Sequence, residues 1–488
     1  MRAGKSLAVC FDTKFARYAY NPHTLLAGRN GGEYASDGVV CVRKIATAAL
    51  ALTVALSSAP PASGLEPPVI DLGATPPDAT GPDQPTEQRR QCATPQTLPD
   101  SNFADPPWGN AYLRVADSHK FATGKGITVA VIDTGVTASP RVPAEPGGDF
   151  VGAGDGMQDC DAHGTLTASI IAGRPAPTDA FVGVAPDAKI LSLRQTSEAF
   201  MPTGMQVDPN DPNSSPTAGS LRSLARAIVH AANLGAGVIN VSEAACYRVT
   251  RPIDEKTLGA AVNYATNVKN SVVVVAAGNT GRDCTQNPPP NAAVPSDPRG
   301  WKEVQTVVSP AWYSQLVLTV GGIGQNGAPS SFSMSGPWVG AAAPAENIIA
   351  LGYDGKPVNA LQGQDGPVPI NGTSFAAAYV SGVAALVRQR FPQLTATQVI
   401  NRVVSTARHP GGGVDNVVGA GVVDPVAALT WDIPAGPATP EYKTNELPPP
   451  PPVQPPDRGP ITAVVLIGAG LALAVGLGLA ARRALGRK

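Results

Sequence analysis

Strand-like apolar runs alternate with helical ones through the middle of the chain. The stretch 126–135, GITVAVIDTG, is rich in β-branched residues and ends on Asp-Thr-Gly. The runs at 188–194, 237–242, 271–278 and 316–322 have the same strand-like character. Between them, 163–173 and 258–270 read as helices, and 218–236 has the period of an amphipathic one. Near-continuous apolar strands separated by helices predict an α/β domain whose mostly parallel sheet is covered on both faces. The stretch 374–391, SFAAAYVSGVAALVRQRF, is apolar nearly all round, which predicts a central buried helix, and 394–407 follows as another helix. The polar insert at 195–217 interrupts the alternation and reads as a long exposed loop.

Outside this core the pattern changes. Arg43 and Lys44 precede an apolar run from Ile45 to Leu56 and then small residues. That is the layout of a signal peptide over 42–64, with cleavage near Ala59 to Gly64. The run is too short to span a bilayer well. Residues 1–41 resemble neither a domain nor a leader, so translation is expected to start near Val39 to Val42. At the far end Ile461–Ala481 is apolar or small throughout. As a helix it would be about 30 Å long, the thickness of a hydrocarbon core. The tail 482–488 carries Arg482, Arg483, Arg487 and Lys488, which puts it on the cytoplasmic side and the main domain outside. Residues 65–90 are Pro-, Asp- and Gly-rich and read as an extended or disordered lead-in, and 432–460 as a semi-rigid Pro-rich spacer.

Composition narrows the partners. The 488 residues are 43% hydrophobic with a net charge of −1, so nothing points to nucleic acid. After leader removal Cys92, Cys160, Cys246 and Cys284 remain, with no CxxC pair and no Cys/His cluster at zinc spacing. In an exported domain two disulfides are expected, and the sequence allows three pairings. Asp159 and Asp161 flank Cys160 without the spacing of a calcium loop, so no metal is expected.

Three short sequences carry candidate chemistry. Asp133 stands where an apolar strand ends, and ligands of parallel α/β sheets bind beyond that end. His163 opens a helix in DAHGT, and Ser374 opens another in GTS. Alone, Asp133 reads as a turn residue, His163 as structural and Ser374 as a helix N-cap. Together, an imidazole between a carboxylate and a hydroxyl turns a weak alcohol into a nucleophile.

The blocks VAVIDTGV, HGTLTASIIAG, VVVVAAGN and NGTSFAAAYVSGVAALVR resemble, in order, those of the subtilisin-like serine proteases over residues 120–430, and GAGVVDPVAAL resembles the close of that domain. The resemblance implies a three-layer fold, a triad of Asp133, His163 and Ser374, and Asn279 as the oxyanion-hole amide. It also implies substrate contacts at Ser242, Glu243, Ala244, Ala277 and Gly278, and no cofactor. Leader, spacer, apolar helix and basic tail are most similar to the mycosins, membrane-anchored subtilases of type VII secretion systems. By that likeness an N-terminal extension at 65–119 wraps around a peptidase domain at 120–431, the stretch 91–126 being the wrap. Cys92 would pair with Cys160, closing a loop worth on the order of 4 kcal/mol of chain entropy, and Cys246 with Cys284.

Two positions depart from the commoner family pattern. Ala378 stands where a proline is usual, and Leu166 where a second histidine is usual. Neither supplies triad chemistry. Glu243 would favour basic or polar residues near the scissile bond. His230 reads as structural, and His119 and His409 as surface residues. The expected function is therefore an extracytoplasmic serine endopeptidase acting on exported polypeptides. The rival reading is a structural subunit of the secretion complex, with proteolysis dispensable.

Overall fold

The computed structural model describes residues 65–204, 217–251, 253–281 and 284–444, together with 473 and 475–479. The expected early start (1–41), leader, most of the apolar C-terminal segment and the basic tail lie outside the described residues, as do 205–216 of the insert. Among the described residues no helix is long and apolar enough to cross a membrane.

Seven strands form one parallel sheet: β1 (Thr128–Asp133), β2 (Ala144–Asp149), β3 (Lys189–Arg194), β4 (Val238–Val241), β5 (Val272–Ala276), β6 (Val317–Ile323) and β7 (Val339–Pro344). Their order across the sheet is β7-β6-β5-β4-β1-β3-β2, and each neighbouring pair is parallel. The alternation of side chains explains the unbroken apolar runs of the inner strands β1 and β5. Val129 and Val131 of β1 face one core, while Ala130 and Ile132 face the other. Val272 and Val274 of β5 likewise oppose Val273 and Val275. Each fully buried valine or isoleucine contributes about 1.5–3 kcal/mol by leaving water.

Helices α1 (His163–Ala172) and α4 (Thr373–Arg390) cover one face, backed by α5 (Ala396–Ser405). Helices α2 (Leu221–Asn233) and α3 (Lys256–Asn263) cover the other. Helix α2 begins later than its apolar pattern because Ser220 caps it, accepting from the Ser223 N–H in a reciprocal capping box. The pattern at 258–270 resolves into α3 followed by a π-helical turn, Tyr264–Val268. Helix α4 is buried from Thr373 to Arg388, as its all-round apolar surface requires.

Two strands had no apolar signal. β2 reads Ala-Glu-Pro-Gly-Gly-Asp, and as the sheet's outer strand it tolerates Pro146. β7 is small-residue rich and is buried by tertiary packing rather than by its own hydrophobicity.

The lead-in at 65–90 is held against the domain. Asp78 meets His230 (Nδ1–Oδ1, 2.6 Å) and accepts from the Asn233 amide. Arg226 donates to the carbonyls of Ala79 and Gly81. Thr86–Gln88 pairs antiparallel with Phe200–Pro202 at the stem of the insert. Further on, Pro95–Gln96 pairs with Ala360–Leu361. His230, on the amphipathic helix α2, is thus an anchor for the lead-in. Residues 432–444 also run back along the domain: the Thr395 hydroxyl donates to Ala438 O, and the Ile70 N–H to Lys443 O.

Candidate active site

Asp133 is the last residue of β1 and has no solvent exposure. His163 is the first residue of α1, and Ser374 the second of α4. The N-cap of α4 is Gly372, with no side-chain cap, so Ser374 is not the capping residue. Its hydroxyl is free to meet the imidazole.

His163 Nδ1 lies 2.7 Å from Asp133 Oδ1, and Nε2 lies 2.8 Å from Ser374 Oγ. An ionised carboxylate only accepts, so the proton of the neutral ring sits on Nδ1 and Nε2 accepts from the Ser374 O–H. The Phe375 ring, 5.0 Å from the imidazole centroid, packs beside it. Burial alone would push the Asp133 carboxyl up, but the His163 imidazole, the Ser242 hydroxyl and the Thr134 N–H hold it below the usual carboxylate range. Burial disfavours the His163 cation, yet the Asp133 carboxylate, helped by Glu243 and Asp159, outweighs it and raises the imidazole above its ordinary range. The site therefore stabilises an imidazolium, the species a general base becomes.

A second set of hydrogen bonds fixes the distance between β1 and α1. Asp159 accepts from the Thr134 hydroxyl (2.8 Å), the Thr165 N–H (2.8 Å) and the Thr165 hydroxyl (2.6 Å). Thr134 Oγ1 in turn accepts from the Gly164 N–H at 2.9 Å. Two threonines, one just after Asp133 and one two places after His163, thus lock the strand end to the helix start. The sequence signal was present in DTG and HGT, but the shared acceptor Asp159 was visible only in three dimensions. Asp161 is spent similarly, on the Ser197 hydroxyl and the N–H groups of Glu198 and Ala199.

Gly164 permits this contact: a Cβ there would stand 2.0 Å from Gly135 O and 3.2 Å from Asp133 Cβ. Gly164→Ala should therefore push α1 off β1 and separate His163 from Asp133. We expect kcat/KM to fall at least about 100-fold, the scale of a 1 Å misplacement, with a lowered melting temperature. An unchanged kcat/KM would show that the site tolerates the shift.

Asn279 follows β5 and is exposed. Its Oδ1 accepts from the N–H (3.0 Å) and hydroxyl (3.1 Å) of Thr373. This fixes the amide flip, and Nδ2 donates to no protein acceptor among the described residues. Ala277 and Gly278 are buried, held by Ala277 N–H to Val320 O and Met334 N–H to Gly278 O. Ser242 is buried and Glu243 and Ala244 half-buried beside them, beyond β4.

Cys92 is bonded to Cys160, and Cys246 to Cys284. The first bond joins the wrap to the loop leading into His163. His119 is half-buried, its Nε2 3.0 Å from Val184 O, and His409 is exposed.

Such a sheet, with a carboxylate, an imidazole and a serine hydroxyl in line beyond its carboxyl edge, is the frame of a serine hydrolase of the α/β class. The chain belongs to the subtilase family of serine endopeptidases, whose model matches residues 124–421. It is 71% identical to Mycosin-1 of Mycolicibacterium smegmatis over 448 residues, covering 92% of this chain and 100% of that protein. It is 72% identical to Mycosin-1 of Mycobacterium tuberculosis over 440 residues, covering 90% and 99%. A crystal structure of MycP1 from the ESX-1 type VII secretion system is 74% identical and covers 78% of this chain and all of its own, with a TM-score of 0.76. A chain of an intact ESX-5 inner membrane complex is 46% identical over 85% of this chain and all of its own, with a TM-score of 0.73.

Proposed function

We propose that this chain is a serine endopeptidase anchored in the cytoplasmic membrane, cleaving exported polypeptides outside it in association with a type VII secretion system. The unbroken line Asp133–His163–Ser374 carries the reading. His163 Nε2 takes the Ser374 proton as Oγ attacks the scissile carbonyl, and Asp133 balances the imidazolium. The Asn279 side-chain amide and the Ser374 N–H donate to the oxyanion. The imidazolium returns its proton to the leaving amine, and a water repeats the sequence on the acyl-enzyme. An organophosphonate serine trap tests the assignment. Peptide mapping should find the adduct on Ser374, and a full-length protein that never reacts would overturn it.

Asn279→Ala is expected to lower kcat by about 10²–10³, the size seen for one oxyanion donor in subtilisin, with little change in KM. A rise in KM at constant kcat would instead make Asn279 a ground-state contact.

Support for anchoring comes from the apolar segment Ile461–Ala481 and its basic tail, preceded by a leader at 42–64. The secretion role is supported by the likeness to Mycosin-1, to MycP1 from the ESX-1 type VII secretion system and to a chain of the periplasmic assembly of the ESX-5 inner membrane complex. That a chain 46% identical belongs to an intact inner membrane complex also favours a second reading, in which the body stabilises the complex irrespective of cleavage.

A further inference from the structure

The carboxylates near the triad differ in what they are already doing. Asp133 serves His163, Asp159 accepts from two threonines, and Asp161 accepts from Ser197 and two backbone N–H groups. Glu198 is exposed, with Arg90 at 3.9 Å. Glu243 differs from all of these. It is half-buried on the segment that leaves the carboxyl end of β4, between Ser242 and Ala244, and it takes no hydrogen bond or ion pair from any described residue.

We propose that Glu243 selects a lysine or arginine side chain in the substrate within the first two positions on the acyl side of the scissile bond. The inference rests on the protease reading above and names the substrate chemistry of that same site. Glu243 leaves the end of β4, which lies between β1, ending on Asp133, and β5, and a Cβ on Gly278, the residue before Asn279, would stand 3.7 Å from the Cβ of neighbouring Ala244. A side chain that reaches its carboxylate therefore belongs to a residue next to the reacting carbonyl. Burial, with Asp133 nearby, pushes the Glu243 carboxyl up to about 7. A charge so poorly solvated, and among other acids, gains from an incoming cation. A neutral side chain would leave it unpaired, and an acidic one would meet repulsion from Glu243, Asp161 and Glu198 together. Among the described residues His163 is the one neighbour that can turn cationic there, and it is committed to Asp133 and Ser374 and must discharge in each turnover.

The test uses the full-length protein in detergent, active sites counted with the organophosphonate trap. Fluorogenic peptides carry Lys, norleucine or Glu at each of the two positions before the scissile bond. At one position Lys should exceed norleucine about tenfold in kcat/KM above pH 8, with Glu lowest. Glu243→Gln should bring Lys and norleucine within about twofold, and Glu243→Lys should place Glu above Lys. Equal rates for all three peptides with the wild type overturn the proposal. So does a Glu243→Gln that slows all three alike, since Glu243 would then act through His163 and not on the substrate. A wild type that neither cleaves nor reacts with the trap overturns the protease reading itself, and this one with it.

Discussion

Full-length protein carrying Ser374→Ala is expected to lose about 10⁶-fold in kcat, the loss seen when the nucleophile of subtilisin is removed. Among the described residues the Ser374 hydroxyl is the one group at the head of α4 that meets His163 Nε2, since the Thr373 hydroxyl donates to Asn279 instead. What survives is the contribution of the oxyanion donors and substrate binding, about 10³–10⁴ over water. The substitution removes one oxygen from a nearly buried position and makes no new contact, so the fold should stand. The same variant separates the two proposed roles. If export through the secretion system continues in cells that carry only Ser374→Ala, while cleavage of exported proteins stops, the body of the protein has a role of its own. If export stops as well, cleavage is itself a step of transport. Residual cleavage close to wild type, with contaminating proteases excluded by the trap, would place the nucleophile elsewhere.

Asp133→Asn should lower kcat about 10⁴-fold. The amide can present its N–H₂ to Nδ1, which flips the ring tautomer and puts a proton on Nε2, where the Ser374 proton must go. The pH dependence carries a second, independent signature. His163 acts only when neutral, so activity rises with pH as the imidazolium deprotonates. In the wild type the Asp133 charge raises that imidazole, so the acid limb of kcat/KM should lie above the ordinary histidine value of about 6.5. Without the charge the cation loses its largest support, and the limb should move to lower pH even as the plateau falls. Rates measured from pH 5 to 10 decide this. A limb that stays in place would mean that Asp133 does not govern the ionisation of His163.

The sequence by itself determined the α/β class and the order of strands and helices, because strands buried on both faces must be apolar at every position. Residues 129–132 and 272–275 show this directly. It also marked Asp133, His163, Ser374 and Asn279, since each stands at an element's end in a short motif and their order matched a family pattern. Four things it could not settle. The strands Ala144–Asp149 and Val339–Pro344 have no apolar run of their own and exist only through their neighbours. The lead-in at 65–90 reads as loose because Pro- and Asp-rich chain has no core to bury, yet His230, Arg226 and the 200–202 strand supply the partners that order it. The stretch around Ser374, taken without the other motifs, favoured a helix cap over a partner for the imidazole but did not decide between them, because both uses need a hydroxyl at a helix start. Finally, that Glu243 alone among the nearby acids takes no hydrogen bond or ion pair from a described residue is a statement about what surrounds it. Local pattern follows from backbone period and burial, but which polar atom meets which depends on residues from 25 to 211 positions apart, and only the packed sheet brings those together.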